Sequence, residues 1–421
     1  MAEATAFQQV YDYANRANPY PLYAELRKTP VALQPDGSFV VSTYWEILAL
    51  LHDPRVSSDP VNRRAPAAVS ALQQASDDPA QTAANDAGFI LTDPPLHDLL
   101  RRLAMRYFGP PNAPERVDGM RPNLASLASG LVDLFDAKRQ IDIVDEFAYP
   151  LPVTVICQLL GVPPEDEKRF HGWADAIVDG LGLEFEPDPA EAQQKGALAL
   201  QAGIALSQYM MEMIEKYRQQ PADTFLSGLV TGGGPEGQMS PGQVLVTANL
   251  LLLAGHETTV NLIGNGMLTL LRHPAILERL RHEPELIIGT VEELLRYEPS
   301  VQLLPNRSAV TDISIGSTTI PKGSAITLAI AAGNRDPSRF EDPDRFDPDR
   351  KDNQHLAFGS GIHSCFGAPL ARLEAQYALF ELIRRLDNPR LVTDPPPYRH
   401  SPILRGPRHL LVEVDGVRPS M

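Results

Sequence analysis

Apolar residues recur at three- and four-residue spacing along most of the chain, a period that predicts helices over 44–52, 96–107, 115–137, 145–160, 165–181, 190–218, 241–272, 275–298 and 367–386. Period-two alternation is confined to short pieces. Val31 to Ser42 holds Pro35-Asp36-Gly37 between β-prone runs and predicts a hairpin, while Ile313 to Ile330 and Arg390 to Val414 predict further short strands. The prolines fall mostly between the periodic segments, where helices stop and restart. No repeat or linker divides the chain, and Gly232-Gly233-Gly234-Pro235 is read as a loop, since no Gly-Lys-Ser/Thr follows to make a phosphate cradle. The expected fold is mainly α with small β-sheets, an α+β arrangement in one large domain over residues 1–421.

The longest pattern begins at Ser240-Pro241-Gly242-Gln243, which supplies an N-cap, a proline at the first helical position and a capping-box Gln. Running to Arg272, such a helix spans about 48 Å at 1.5 Å per residue and must cross the core. Its middle reads Ala254-Gly255-His256-Glu257-Thr258-Thr259. Taken alone, Glu257 could point to a wet edge while the threonines merely pack. Thr258 can instead hydrogen-bond back to the carbonyl of Ala254, loosening the helix and opening a groove beside two small residues. The zinc-protease pattern fails, because position 260 is Val where a second histidine is needed.

Phe358-Gly359-Ser360-Gly361-Ile362-His363-Ser364-Cys365-Phe366-Gly367 places a cysteine after a glycine-rich turn and just before an apolar helix. The positive end of a helix dipole and free backbone N–H groups favour a thiolate there. On its own this leaves Cys365 as an inert thiol, a nucleophile or a metal ligand. The glycines permit close approach of a large planar partner. The other cysteine, Cys157, sits in an apolar helical run and reads as a buried, inert thiol.

This segment resembles the haem-binding signature of the cytochrome P-450 family, Phe-x-x-Gly-x-His/Arg-x-Cys-x-Gly, with every defining position filled from Phe358 to Gly367. Three further features occur in the family's order. Ala254 to Thr259 resembles the oxygen-activating stretch of the family's central helix, Glu293-Leu294-Leu295-Arg296 resembles its Glu-x-x-Arg motif, and Pro343-Asp344-Arg345-Phe346 resembles the segment completing that cluster. The resemblance implies haem b, an iron protoporphyrin IX, with Cys365 as thiolate ligand, and Ala254, Phe358 and Gly367 against the porphyrin. It also implies that His97, Arg101, Arg307 and His363 meet the propionates, that Glu293, Arg296 and Arg345 form a buried structural network, and that Thr258 and Glu257 deliver protons. The implied reaction is monooxygenation with O2, with electrons from a separate ferredoxin and ferredoxin reductase.

Charge and composition then narrow the partners. Lys plus Arg is 37 against 53 for Asp plus Glu, a net charge of −16 that repels nucleic acid and anionic membranes. The two cysteines cannot staple a secreted scaffold, and the N-terminus lacks an apolar signal or anchor, so a cytoplasmic monomer with no membrane contact is expected. Arg101, Arg102 and Arg106 offer a local basic patch suited to an acidic ferredoxin. The resemblance places substrate near Arg64 to Leu91, Leu181 to Ala205, Leu250 to Ala254, Leu303 to Pro305 and Ile403, mostly apolar positions that argue for a lipophilic small molecule. The rival readings are a peroxide-using relative, which the acid and alcohol on the central helix disfavour, a haem sensor, and a haem-free cysteine hydrolase.

Overall fold

A computed structural model describes residues 4–62, 88–109, 113–180, 188–234 and 237–420. The expected substrate positions 64–87 and 181–187 lie outside the described residues.

Helices dominate, and the central one runs Pro241–Arg272, capped by Ser240 and Gln243 in the reciprocal pair the sequence predicts. Every residue from Thr259 to Leu270 is buried, so this stretch is enclosed on all sides, as a rod through the core must be. It packs against Pro150–Leu160, Pro189–Gln219 and Ala368–Arg385. Two expected helices are interrupted. The 115–137 segment divides into Pro114–Asp118 and Arg121–Asp133, with Pro122 in the first turn of the second. The 275–298 segment divides into Pro274–His282 and Ile287–Tyr297 around a 3₁₀ turn at Pro284. In both, a proline lacks the N–H that continuing the preceding helix requires. The 145–160 segment opens as a π-helical turn over Val144–Ala148 ahead of Pro150.

The predicted hairpin pairs Val31–Leu33 with Phe39–Val41 and becomes one edge of a five-stranded sheet. Ala325–Leu328 lies parallel to the hairpin's second strand, and Leu304–Ala309 lies antiparallel to Ala325–Leu328. The last pairing shifts register between Leu304 and Arg307, where Asn306 takes φ +70°. Such a bulge turns the strand and re-aims the next side chain, here Arg307. The sheet and the central helix thereby flank one large internal cavity.

Candidate active site

The cavity is mainly apolar, with a few polar side chains contributed by two segments. The central helix contributes Ala254, Gly255, Thr258 and Thr259; the cysteine loop contributes Phe358, Gly359, His363, Cys365 and Gly367. Phe89, Ile90, Leu250, Leu251, Val301 and Leu304 cover the side above Thr258.

Thr258 Oγ1 donates to the carbonyl of Ala254 at 2.8 Å, the back-bond expected from its position, and Thr259 Oγ1 donates to Gly255 O at 3.0 Å. Glu257 is not brought to the cavity. Its side chain is buried on the back of the helix, in an ion pair with Arg399 at 2.8 Å and accepting from Asn261 Nδ2 at 3.0 Å. Burial pushes this carboxyl above the ordinary range, opposed by Arg399 and Asn261. Nothing local in the sequence marks Arg399 as its partner.

Cys365 begins the turn into Ala368–Arg385, with its own N–H donating to Phe358 O at 2.8 Å. Its thiol is accessible through the cavity yet tightly enclosed by protein. Burial pushes its pKa up, while the N–H groups of Gly367 and Ala368 and the guanidinium of Arg101 pull it down. Desolvation outweighs these stabilising contacts in the protein alone. Cys157 is buried among apolar groups, its pKa pushed up to about 12.

The four residues expected to meet the propionates converge, Arg101, Arg307 and His363 lining the cavity and His97 packing on His363. Arg101 Nη2 donates to Ser364 O at 2.7 Å, and the His97 and His363 rings meet edge to face at 4.4 Å. Burial lowers the His363 pKa to about 4, helped by His97, Arg307 and Arg101. His97 Nε2 is buried without a hydrogen-bond partner among the described residues. Positive groups crowded around an orphaned ring nitrogen suit an incoming anion. A Cβ built on Gly367 would meet nothing within 4 Å, so the cysteine loop leaves open space beside Cys365. These residues fit a flat group with two carboxylates and a metal within reach of sulfur.

Glu293 and Arg296 are fully buried, joined by two hydrogen bonds of 2.7 and 2.8 Å. Arg296 also donates to the carbonyls of Asn334, Pro343 and Arg345. The expectation for Arg345 is corrected here. Its guanidinium is exposed and pairs with Asp347, and only its backbone carbonyl reaches the cluster. Arg350 supplies the third charge, 3.3 Å from both oxygens of Glu293, and Asn353 adds a bond of 3.1 Å. The sequence carries Pro-Asp-Arg twice, at 343–345 and 348–350, and the chain turns the second copy inward. Arg350→Ala should therefore cost about 2 kcal/mol of stability, the worth of hydrogen bonds to a buried charge. Arg345→Ala should leave the urea midpoint unchanged; the reverse ranking would refute this placement.

The family model described as cytochrome P-450 matches residues 48–414. The chain belongs to the cytochrome P-450 family. PikC, a cytochrome P-450 monooxygenase of Streptomyces venezuelae, is 40% identical over 402 residues, covering 93% of this chain and 89% of PikC. The 6-deoxyerythronolide B hydroxylase of Saccharopolyspora erythraea is 37% identical, covering 94% and 96%. Among solved structures, the cytochrome P-450 PksS of the Bacillus subtilis bacillaene polyketide synthase superposes with a TM-score of 0.84 at 31% identity, covering 96% and 99%. This cytochrome P-450 is a haem-thiolate monooxygenase, an oxidoreductase that activates O2 and inserts one oxygen atom into a lipophilic small molecule. Among the described residues no helix is long and apolar enough to cross a membrane.

Proposed function

We propose that the Cys365 thiolate would hold the haem iron, that His97, Arg101, Arg307 and His363 would meet the propionates, and that Ala254, Phe358 and Gly367 would lie against the porphyrin. The observation carrying this reading is the opposition, across one cavity, of the thiol at a helix start and Thr258 in a back-bonded turn. Haem bound through a thiolate supplies O–O cleavage. The protein's own part is then to exclude water and manage protons. Thr258 presents its hydroxyl to the cavity. Glu257, paired with Arg399 behind the helix, is the nearest carboxyl on that helix to exchange protons with the Thr258 turn, its pKa raised by burial and held down by Arg399 and Asn261.

The substrate is a bulky, mainly apolar ring system of the polyketide-macrolactone kind. Apolar lining on the Thr258 side supports it, as do relatives named 6-deoxyerythronolide B hydroxylase and mycinamicin IV hydroxylase/epoxidase. Electrons come from a ferredoxin and its reductase. A second depression behind Cys365, lined by Arg101, Met105 and Arg372, is the face an acidic carrier would approach. The enzyme works as a cytoplasmic monomer.

Replacing Thr258 by Ala should uncouple the reaction, raising hydrogen peroxide formed per NADH consumed by about tenfold or more, the lower range for a positioned proton-transfer group being about 10²-fold. The test uses a surrogate ferredoxin system. Its substrate is chosen by Soret titration with 6-deoxyerythronolide B, corticosterone and hexadec-9Z-enoic acid, and the macrolactone should give the largest high-spin shift. Matched NADH and product in the variant would overturn the role given to Thr258.

A further inference from the structure

Thr258 is held from two directions. Its hydroxyl turns back to Ala254 within the helix. Its carbonyl accepts a second, external hydrogen bond from Ser300 Oγ at 2.7 Å, across 42 positions of sequence. Ser300 lies in the segment between Ile287–Tyr297 and the strand Leu304–Ala309; it is 6% exposed and lines the same cavity. The segment is itself fixed: Arg405 N donates to Ser300 O at 2.8 Å, Gln302 N donates to Ile403 O at 2.8 Å, and Val301 bridges to Leu404. Val301 and Leu304 on either side form part of the apolar wall.

A helical carbonyl has two lone pairs, and the one left over from the helix ladder is usually met by water on an outer face. Here a buried hydroxyl meets it at the turn where two threonines bond back to the carbonyls of Ala254 and Gly255. Within the ladder the Thr258 peptide plane can still tilt about its helical hydrogen bond, and an external donor fixed to a different element restricts that tilt. Buried hydroxyls need a partner, and among the described residues this bond supplies the one that the Ser300 side chain has.

We propose that Ser300 is a positioning residue that sets the orientation of Thr258 and ties it to the pocket wall at Val301 and Leu304. A ligand pressing on that wall thereby acts on the turn that presents the Thr258 hydroxyl. The inference rests on the role given to Thr258 above, and its test separates the two.

O2 serves as the probe, so no substrate is required. Dithionite-reduced holoenzyme is mixed with O2-saturated buffer in a stopped-flow instrument, and the rate of return to the ferric Soret band is read. Ser300→Ala should speed that return about fivefold, the equivalent of one net hydrogen bond of about 1 kcal/mol. Ser300→Thr, which keeps the hydroxyl, should restore the parent rate. Thr258→Ala should also speed the return, and the double variant should be no faster than Thr258→Ala alone, because both changes act through one turn. Hydrogen exchange of the peptide covering 254–263 should rise about fivefold in Ser300→Ala, by the same hydrogen-bond arithmetic, independently of turnover.

If Thr258→Ala leaves the rate unchanged, the role of Thr258 fails and this inference falls with it. If Thr258→Ala acts while Ser300→Ala behaves as the parent, only the Ser300 inference is overturned. Additive effects in the double variant, unchanged exchange at 254–263, or failure of Ser300→Thr to restore the rate would each overturn it as well.

Discussion

Replacing Cys365 by Ser is expected to abolish the red-shifted Soret band of the reduced, carbonylated enzyme and all ferredoxin-driven oxygenation, while Cys157→Ser keeps both. The two thiols differ in surroundings and in access, Cys157 being buried and Cys365 open to the cavity. Cys157 lies among Val153, Ile156 and Leu160, and burial, with Glu167 nearby, holds it protonated with a pKa of about 12. Around Cys365 burial acts in the same direction, but two backbone N–H groups, Arg101 and Arg372 act against it. A metal cation added to that setting tips the balance to the thiolate, since coordination deprotonates a thiol outright. A serine hydroxyl starts from a far higher pKa and offers oxygen where soft sulfur donation to iron is needed. Urea denaturation of both variants separates loss of ligation from loss of fold. A retained red-shifted band in Cys365→Ser would refute the assignment of the ligand.

The sequence exposes whatever depends on neighbours three or four residues apart. The Thr258 back-bond, the Ser240–Gln243 cap and the hairpin at Pro35-Asp36-Gly37 all close within a few residues, and all are present. Convergence of His97, Arg101, Arg307 and His363 needed the family pattern, since they come from three separate elements. What stayed hidden depends on distant partners. Glu257 and Thr258 are consecutive and so must point about 100° apart on a helix, but which one faces the cavity depends on how distant segments pack around it, such as the one that sets Arg399 against Glu257. Likewise Ser300 looks like an ordinary turn serine until the central helix is laid beside it. The two Pro-Asp-Arg copies are locally equivalent, and only the path of the chain around Asp347, whose N–H also bonds Glu293, chooses Arg350.

The Glu293–Arg296 pair gives the second large effect. Arg296→Ala should destabilise the protein by about 3–5 kcal/mol, the cost of stranding one charge of a buried pair. The pair spans a single turn, and on a surface such a spacing contributes a few tenths of a kcal/mol. Here both side chains have no exposed area, and Glu293 would lose its two shortest hydrogen bonds, keeping the longer ones from the Asp347 N–H at 2.9 Å, Asn353 at 3.1 Å and Arg350 at 3.3 Å. The carbonyls of Asn334 and Pro343 would lose the Arg296 donor in the same step, and that of Arg345 would keep only Arg350 at 3.3 Å. Those carbonyls belong to the meander between Ile330–Gly333 and the cysteine loop, so the loss would loosen the wall that carries Phe358 and Cys365. Haem retention should therefore fall together with the urea midpoint. Arg296→Lys should recover little, because one ammonium cannot meet the carboxylate in two places and still reach three carbonyls. A double change, Glu293→Leu with Arg296→Met, removes both charges at once and should cost less than Arg296→Ala if the stranded carboxylate is the main penalty. Equal loss in the two variants would mean that the carbonyl bonds, and not the ion pair, hold this region.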